Sequence, residues 1–195
     1  MIFGPVVLAS SSPRRLELLK LAGLNPIVRP AELDESPQLG EDPATMAERL
    51  AQEKRDAVAT PGERVIAADT VVVLDDAVLG KPGTAEIALA MLRRLSGRSH
   101  EVITGIAVSG PGGKASTTVC TKVVWRALSE REITNYVATG EPLDKAGGYG
   151  IQGGGADFVV SLTGSRENVI GLPVAIALEM LSSVEVIQGE QRRHL

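Results

Sequence analysis

The stretch Val65–Leu74, Val-Ile-Ala-Ala-Asp-Thr-Val-Val-Val-Leu, restricts the fold more than any other part of the chain. Its side chains are apolar and largely β-branched, the pattern of a strand buried at the centre of a sheet. Helices are then needed to cover it. Asp69 is the one charged interruption. A carboxylate buried alone carries a desolvation penalty. Asp69 is therefore expected at a strand end or on a cleft wall, bound to a metal or to donors. The alternative is an aspartate bonded to nearby backbone N–H groups. Aspartate is depleted from strands, which weighs toward a functional role.

The neighbouring segments alternate between strand and helix. Val6–Ala9 reads as a buried strand. Pro13 then starts a helix, with Ser12 at the N-cap, Leu16, Leu18, Leu19 and Leu21 on its apolar side, and Gly23 at its end. Pro26–Arg29 is a short strand, followed by a loop over 30–40. Asp42-Pro43 opens a second helix, with Met46, Leu50 and Ala57 near one face and Glu48, Arg49, Gln52, Glu53 and Arg55 largely elsewhere. Asp75-Asp76 make a turn. Thr84 caps a third helix with Ile87, Met91, Leu92 and Leu95 on its apolar face.

Glu101–Ser109 and Ala115–Arg126 are β patterns joined by a Gly-Pro-Gly-Gly hairpin loop. Ser129-Glu-Arg-Glu132 is a capping box that opens a helix. The segment 143–155 is rich in glycine and has no regular period. Phe158–Leu162 is a strand, Thr163–Gly171 a loop, Pro173–Leu181 a helix and Val184–Ile187 a last strand. Gln188–Leu195 is a frayed polar tail. The expectation is one domain over residues 1–195, a mixed α/β sheet flanked by helices, with a ligand cleft at strand ends between two lobes.

Where the first strand passes into the first helix stand Ser10, Ser11, Ser12, Pro13, Arg14 and Arg15. Hydroxyls, unpaired backbone N–H groups and two guanidinium forks at a helix N-terminus suit an anion, most simply phosphate. Read alone, the same residues fit a capped helix with two solvated arginines. Asp34 and Glu35 lie on a polar loop, where solvated charges are the ordinary reading. Beside a phosphate site they become ligands for a hard cation such as magnesium, which takes a few carboxylates plus phosphate oxygens and water. Lys54 and Lys81 read as surface lysines when taken singly. Lys81 is the more suggestive, set between Gly80 and Pro82. Lys145 lies in the glycine-rich segment, where backbone can approach a ligand closely. Tyr149 and Gln152 can add hydrogen bonds to a base. The competing reading of that segment is a flexible surface loop.

Several classes are disfavoured. The formal charge is −4, with no bulk basic face for nucleic acid or anionic membrane. Aromatic residues are 3% of the chain, too few for a base-stacking platform. No apolar stretch is long enough to span a bilayer. No signal-peptide pattern opens the chain, and the single cysteine, Cys120, suits a reducing compartment. A cytoplasmic location is expected. Cys120 itself reads as a small core residue. His100 and His194 share no metal-ligand spacing with cysteines. The GxSxG elbow, the P-loop and the strand-linked GxGxxG are missing.

The ordered set LASSSPRRLELL, LDES, LAQEK, AADTVV, LGKP, LSGRSHEVITG, EPLDKAGGYGIQG and NVIGLP resembles the Maf family of nucleoside triphosphate pyrophosphatases along nearly the whole chain. The resemblance implies a mixed α/β fold like that of inosine triphosphate pyrophosphatases. It also implies cleavage of a nucleoside triphosphate to monophosphate and pyrophosphate with a divalent metal, magnesium or manganese. By the same resemblance Asp69 is the general base that activates water for attack on the α-phosphorus. Arg14, Lys54 and Lys81 neutralise phosphate charge with help from Ser10, and Glu35 holds the metal with Asp69. Arg15 matches the motif in a more structural role.

The YGIQG motif, Tyr149–Gly153, resembles the branch that prefers dTTP and UTP. Arg14, Thr70 and Gln152 are then the positions tied to substrate choice. An amide at Gln152 can pair with a pyrimidine edge through its carbonyl and NH₂ together. Gly148 replaces a common alanine of that branch, and Gly153-Gly154-Gly155 are expected to leave the following loop loose. A homodimer also accords with the resemblance. Two alternatives stand beside the dTTP/UTP reading: a pyrophosphatase for non-standard purines such as ITP or 7-methyl-GTP, and a non-catalytic nucleotide-binding regulator of septum formation.

Overall fold

A computed structural model describes residues 4–185. Along the chain these form β1 (Val6–Leu8), α1 (Pro13–Leu21), β2 (Ile27–Val28), α2 (Pro43–Val58), β3 (Arg64–Leu74), β4 (Ala77–Leu79) and α3 (Ala85–Leu95). There follow β5 (Ser99–Gly110), β6 (Gly113–Trp125), α4 (Glu130–Ala138), β7 (Val159–Thr163), α5 (Arg166–Ile170) and α6 (Val174–Ser183). The strands make one mixed sheet in the order β2-β1-β3-β5-β6-β7, with β4 paired to β3. The pairs β1–β2 and β1–β3 are parallel; β3–β4 and β6–β7 are antiparallel. This is the helix-flanked mixed sheet expected from the sequence.

The chain divides into two compact units. One comprises the residues up to Asp69, Gly105–Thr118, and the segment from Gly171 onward. The other comprises Thr70–Thr104 and Val119–Ile170. In the first, Val7, Ala9, Val65 and Ala67 pack on Val58 and Ala59. In the second, Val72, Leu92, Leu95, Trp125, Ile133 and Phe158 belong to a larger apolar cluster that also holds Tyr136 and Tyr149. Both cores draw on β3, because that strand is apolar at nearly every position.

Local chemistry accounts for several element ends. Asp42 caps α2 by accepting from the N–H groups of Ala44 and Thr45, and Pro43 takes the first helical position. Ser129 and Glu132 close a complete capping box on α4. Gly23, with φ +85°, ends α1 through bonds from Gly23 N to Lys20 O and Leu24 N to Leu19 O, a Schellman termination. Asp75 and Asp76 both adopt positive φ in the two-residue turn between β3 and β4.

Other expectations are corrected. Ser12 occupies the N-cap of α1 without a capping bond; its own N–H donates to Ser10 Oγ at 3.2 Å. Leu21 and Ile87 are exposed, and so is Ala57. The buried face of α2 instead follows Met46, Ala47, Leu50, Ala51, Lys54 and Arg55. The expected loop Thr163–Gly171 contains the short helix α5. Val184 caps α6, so no strand begins there; the rest of that expected strand, from Val186, and the tail 188–195 lie outside the described residues. Cys120 is exposed, not core. Alternation along β6 turns Thr121, Val123 and Trp125 inward and Cys120 outward.

Candidate active site

Asp69 lies in the middle of β3, so of the two expected placements, a strand end or a cleft wall, the strand end does not hold. It is nonetheless buried, 7% exposed. Burial is tolerated because Lys54 Nζ donates to Asp69 Oδ1 at 2.5 Å. The same ammonium reaches Glu35 Oε1 at 2.5 Å. One buried cation thus joins a strand carboxylate to a loop carboxylate. The helical signal for Lys54 was present in the sequence, since Met46, Leu50 and Lys54 follow one another at four-residue spacing on the buried face. Asp34, by contrast, is used locally. Its carboxylate accepts from Ser36 N at 3.0 Å, and the Ser36 bonds hold its pKa below the usual carboxylate range.

Around the N-terminus of α1, Ser10 is buried and its Oγ accepts from Ser12 N and, at 3.1 Å, from Arg15 Nη1. Arg15 Nε also donates to the carbonyl of Gly171 at 2.8 Å. Desolvation pulls the Arg15 pKa down, opposed chiefly by the charge of Asp69. Arg15 is thereby tied into the framework, while the half-buried Arg14 occupies the first turn of α1. These residues all belong to the first unit.

Thr70, Lys81 and Gln152 belong to the second unit. Thr70 Oγ1 lies 3.0 Å from Thr104 Oγ1. Thr104 Oγ1 donates to the carbonyl of Asn168 at 3.1 Å. A hydroxyl has one proton, so with both bonds made Thr70 donates to Thr104. Asn168 is wholly buried, its Nδ2 donating to Val102 O at 2.9 Å and to Thr121 Oγ1 at 3.0 Å. The sequence reading did not single out Thr104 or Asn168, since each lies far along the chain from Thr70. Their only signal was membership of the ITG and NVIGLP motifs.

Lys81 is exposed in its turn, and Gly147 N donates to Gly80 O at 3.1 Å, joining that turn to the glycine-rich segment. Lys145 is engaged within its own loop, donating to Glu141 O and Asp144 Oδ1 at 2.7 Å each. Tyr149 is buried and its hydroxyl pairs with His100 Nε2 at 2.8 Å, so it is not a surface group for a base. Burial holds His100 down to about 4, hence neutral. Gln152 is exposed. The loop it stands on is not loose. A Cβ on Gly147 would lie 2.9 Å from Val72, and one on Gly155 would lie 2.8 Å from the carbonyl of Gly150. The glycines are there because the backbone is packed.

The fold and this set of groups define a mixed α/β protein in which a buried lysine bridges a buried strand carboxylate, Asp69, to the exposed loop carboxylate of Glu35. The family model described as Maf-like protein matches residues 5–184, and the chain belongs to that family. It is 52% identical over 180 residues to a protein of Anaeromyxobacter dehalogenans strain 2CP-C named dTTP/UTP pyrophosphatase, covering 90% of this chain and 92% of that one. A protein of the same name from Geobacter sulfurreducens is 49% identical over 185 residues, covering 93% and 97%. The solved Ham1 protein of Staphylococcus aureus overlaps with a TM-score of 0.42 at 17% identity, over 63% of this chain and 72% of that one.

Proposed function

We propose that the protein hydrolyses dTTP and UTP to the monophosphate and pyrophosphate. The observation that carries the chemistry is Asp69, a mid-strand carboxylate held in place by Lys54. In this reading Asp69 takes a proton from water as the water oxygen bonds to the α-phosphorus. The bond from the α-phosphorus to the oxygen bridging to the β-phosphorus breaks, and pyrophosphate leaves with that oxygen. Arg14, Lys54 and Lys81 neutralise phosphate charge, Ser10 adds a hydroxyl, and Thr70 and Gln152 contribute to the choice of base. Support for the substrates comes from relatives near half identity, across about nine-tenths of both chains, that bear the name dTTP/UTP pyrophosphatase.

The residues fit a divalent cation of the magnesium type. Glu35 and Asp69 converge on one positive group, the Lys54 ammonium. Among the described residues no cluster of three or more acidic, histidine or cysteine side chains forms a protein cage. Two carboxylates with phosphate oxygens and water suit magnesium or manganese. Bound there, the cation would neutralise charge on the phosphate oxygens. The same reading has the enzyme clearing unwanted or modified pyrimidine nucleotides from the cytoplasm, as a homodimer. Among the described residues no helix is long and apolar enough to cross a membrane.

The test is pyrophosphate release from dTTP, UTP, CTP, ITP and 7-methyl-GTP with magnesium, manganese or EDTA. Release from dTTP and UTP that EDTA abolishes is expected. Faster turnover of a purine would discard the pyrimidine reading. Nucleotide binding without any release would replace the enzyme by a regulator.

A further inference from the structure

The exposed amide of Gln152 stands on a closed turn. Gly153 N donates to Gly150 O at 3.2 Å, with Ile151 and Gln152 between them. Ile151 is buried, and its carbonyl accepts from Arg166 Nη2 at 2.8 Å. On each side of the turn the backbone is held by two side chains from 136–141. Gly150 N donates to Tyr136 Oη at 3.0 Å. Tyr136 Oη in turn donates to Glu141 Oε1 at 2.9 Å. The other carboxylate oxygen, Glu141 Oε2, accepts from Gly154 N at 3.1 Å.

The proton count is satisfied in one way only. Gly150 N–H can only donate, so Tyr136 Oη accepts there and spends its own proton on the carboxylate. Burial raises the Tyr136 pKa, so the phenol keeps that proton. The glycines match this clamp. A Cβ on Gly153 would overlap the Glu141 carboxylate, and one on Gly150 would lie 2.8 Å from Glu141 Oε1. A Cβ on Gly154 would press the Tyr136 ring at 3.2 Å. The ring itself is fixed by Phe158, edge to face at 5.0 Å.

We infer that Glu141, acting through Tyr136 and the Gly154 amide, is a positioning residue that holds the Gly150–Gly153 turn in the shape presenting Gln152 to the base. This rests on the reading of Gln152 given above. The carboxylate is suited to the task because it has two acceptor oxygens, one for each partner, whereas the neutral amide of the same length has one acceptor oxygen and a donating NH₂. Both its oxygens are engaged by the Tyr136 hydroxyl and the Gly154 amide of the loop, so it acts on binding and selectivity, leaving the phosphate chemistry to other groups.

The test compares dTTP with 2-deoxyribose 5-triphosphate, which carries the phosphates and lacks the base. Pyrophosphate release is measured for the wild-type enzyme and for Gln152→Ala, Glu141→Ala, Glu141→Gln and Tyr136→Phe. Glu141→Ala is expected to lower kcat/KM for dTTP about tenfold, the factor that roughly one net hydrogen bond represents. The loss should fall on KM, with the base-less substrate unchanged. Glu141→Gln keeps one acceptor and restores part of the loss. Glu141→Ala added to Gln152→Ala should have no further effect. Should Glu141→Ala fail to fold, Tyr136→Phe, which keeps the ring, gives the same comparison. A wild-type ratio of dTTP to base-less substrate in Glu141→Ala and Tyr136→Phe, when Gln152→Ala lowers it, overturns the role of Glu141 and leaves Gln152 standing. An unchanged ratio in Gln152→Ala itself removes the reading of Gln152 and this inference with it.

Discussion

Lys54→Met removes the ammonium that joins Asp69 to Glu35 and keeps most of its aliphatic length. The two halves of the bridge lose unequally. The side chains of Lys54 and Asp69 are 9% and 10% exposed, whereas that of Glu35 is 46% exposed. Glu35 stays in contact with water, so its share costs at most about 1 kcal/mol. Asp69 stays buried. A buried charge deprived of its partner costs about 3–5 kcal/mol. The positive charge of Arg15, which also acts on Asp69, brings the expected total to about 3 kcal/mol. Replacing both charged partners removes that penalty, so Lys54→Met with Asp69→Asn should be about 2 kcal/mol more stable than Lys54→Met alone. Urea unfolding followed by far-ultraviolet circular dichroism at pH 7 reads both differences from the midpoints at constant m. A single variant within about 1 kcal/mol of wild type, or a double variant no more stable than the single, would refute the buried ion pair as the reason Asp69 can occupy mid-strand.

Asp69→Asn keeps the shape of the side chain and removes the proposed base; turnover of dTTP should fall about 10²–10⁴-fold while the protein stays folded, and full turnover would show that the base lies elsewhere. His100 gives a stability term that depends on pH. Its folded pKa, about 4, lies below the unfolded value of about 6.5. That stability is fully present above about pH 6.5 and is lost as pH falls toward 4, by up to about 3 kcal/mol over the window. His100→Gln should flatten this part of the pH profile of the melting temperature; an unchanged profile counts against a buried neutral imidazole. Gly105→Ala places a methyl group over the carbonyl of Ala47 and 2.6 Å from Glu48 N. The expected cost is about 3 kcal/mol or more, checked by thermal melting, and a wild-type melting temperature would contradict the close approach of β5 to α2.

The sequence carried the secondary structure well where one residue type decides a local geometry. The Asp42 cap, the capping box of α4 and the positive-φ glycine after α1 involve partners within a few residues, so their chemistry is written in short stretches. Strand β3 was legible for a different reason: a run apolar on both sides has no stable place except between covered faces. Reading failed where exposure depends on distant packing. Leu21 and Ile87 look like core residues at helical spacing and are exposed, because among the described residues nothing buries them. Cys120 looks small and apolar and faces out, because strand parity turns Thr121 inward instead.

The candidate site divides the same way. Residue types alone nominated Asp69 and left the serine-arginine turn open between an anion site and a capped helix; Glu35 and Lys54 read singly as solvated surface charges, and the ordered motifs joined them all into one family pattern. Only the tertiary structure decided that Lys54 is buried and bridges the two carboxylates, since its partners stand 19 residues before and 15 after it. Tertiary structure likewise converted a glycine-rich segment from an expected loose loop into a packed turn. Glycine content reports that a backbone is free to bend, but whether it is free or pressed against a neighbour depends on what lies beside it. Here the neighbours are Val72, Tyr136 and Glu141. Sequence determined which groups are available and which segments repeat or break a local rule; folding determined which charges lose their water, and that is the step that sets their strength.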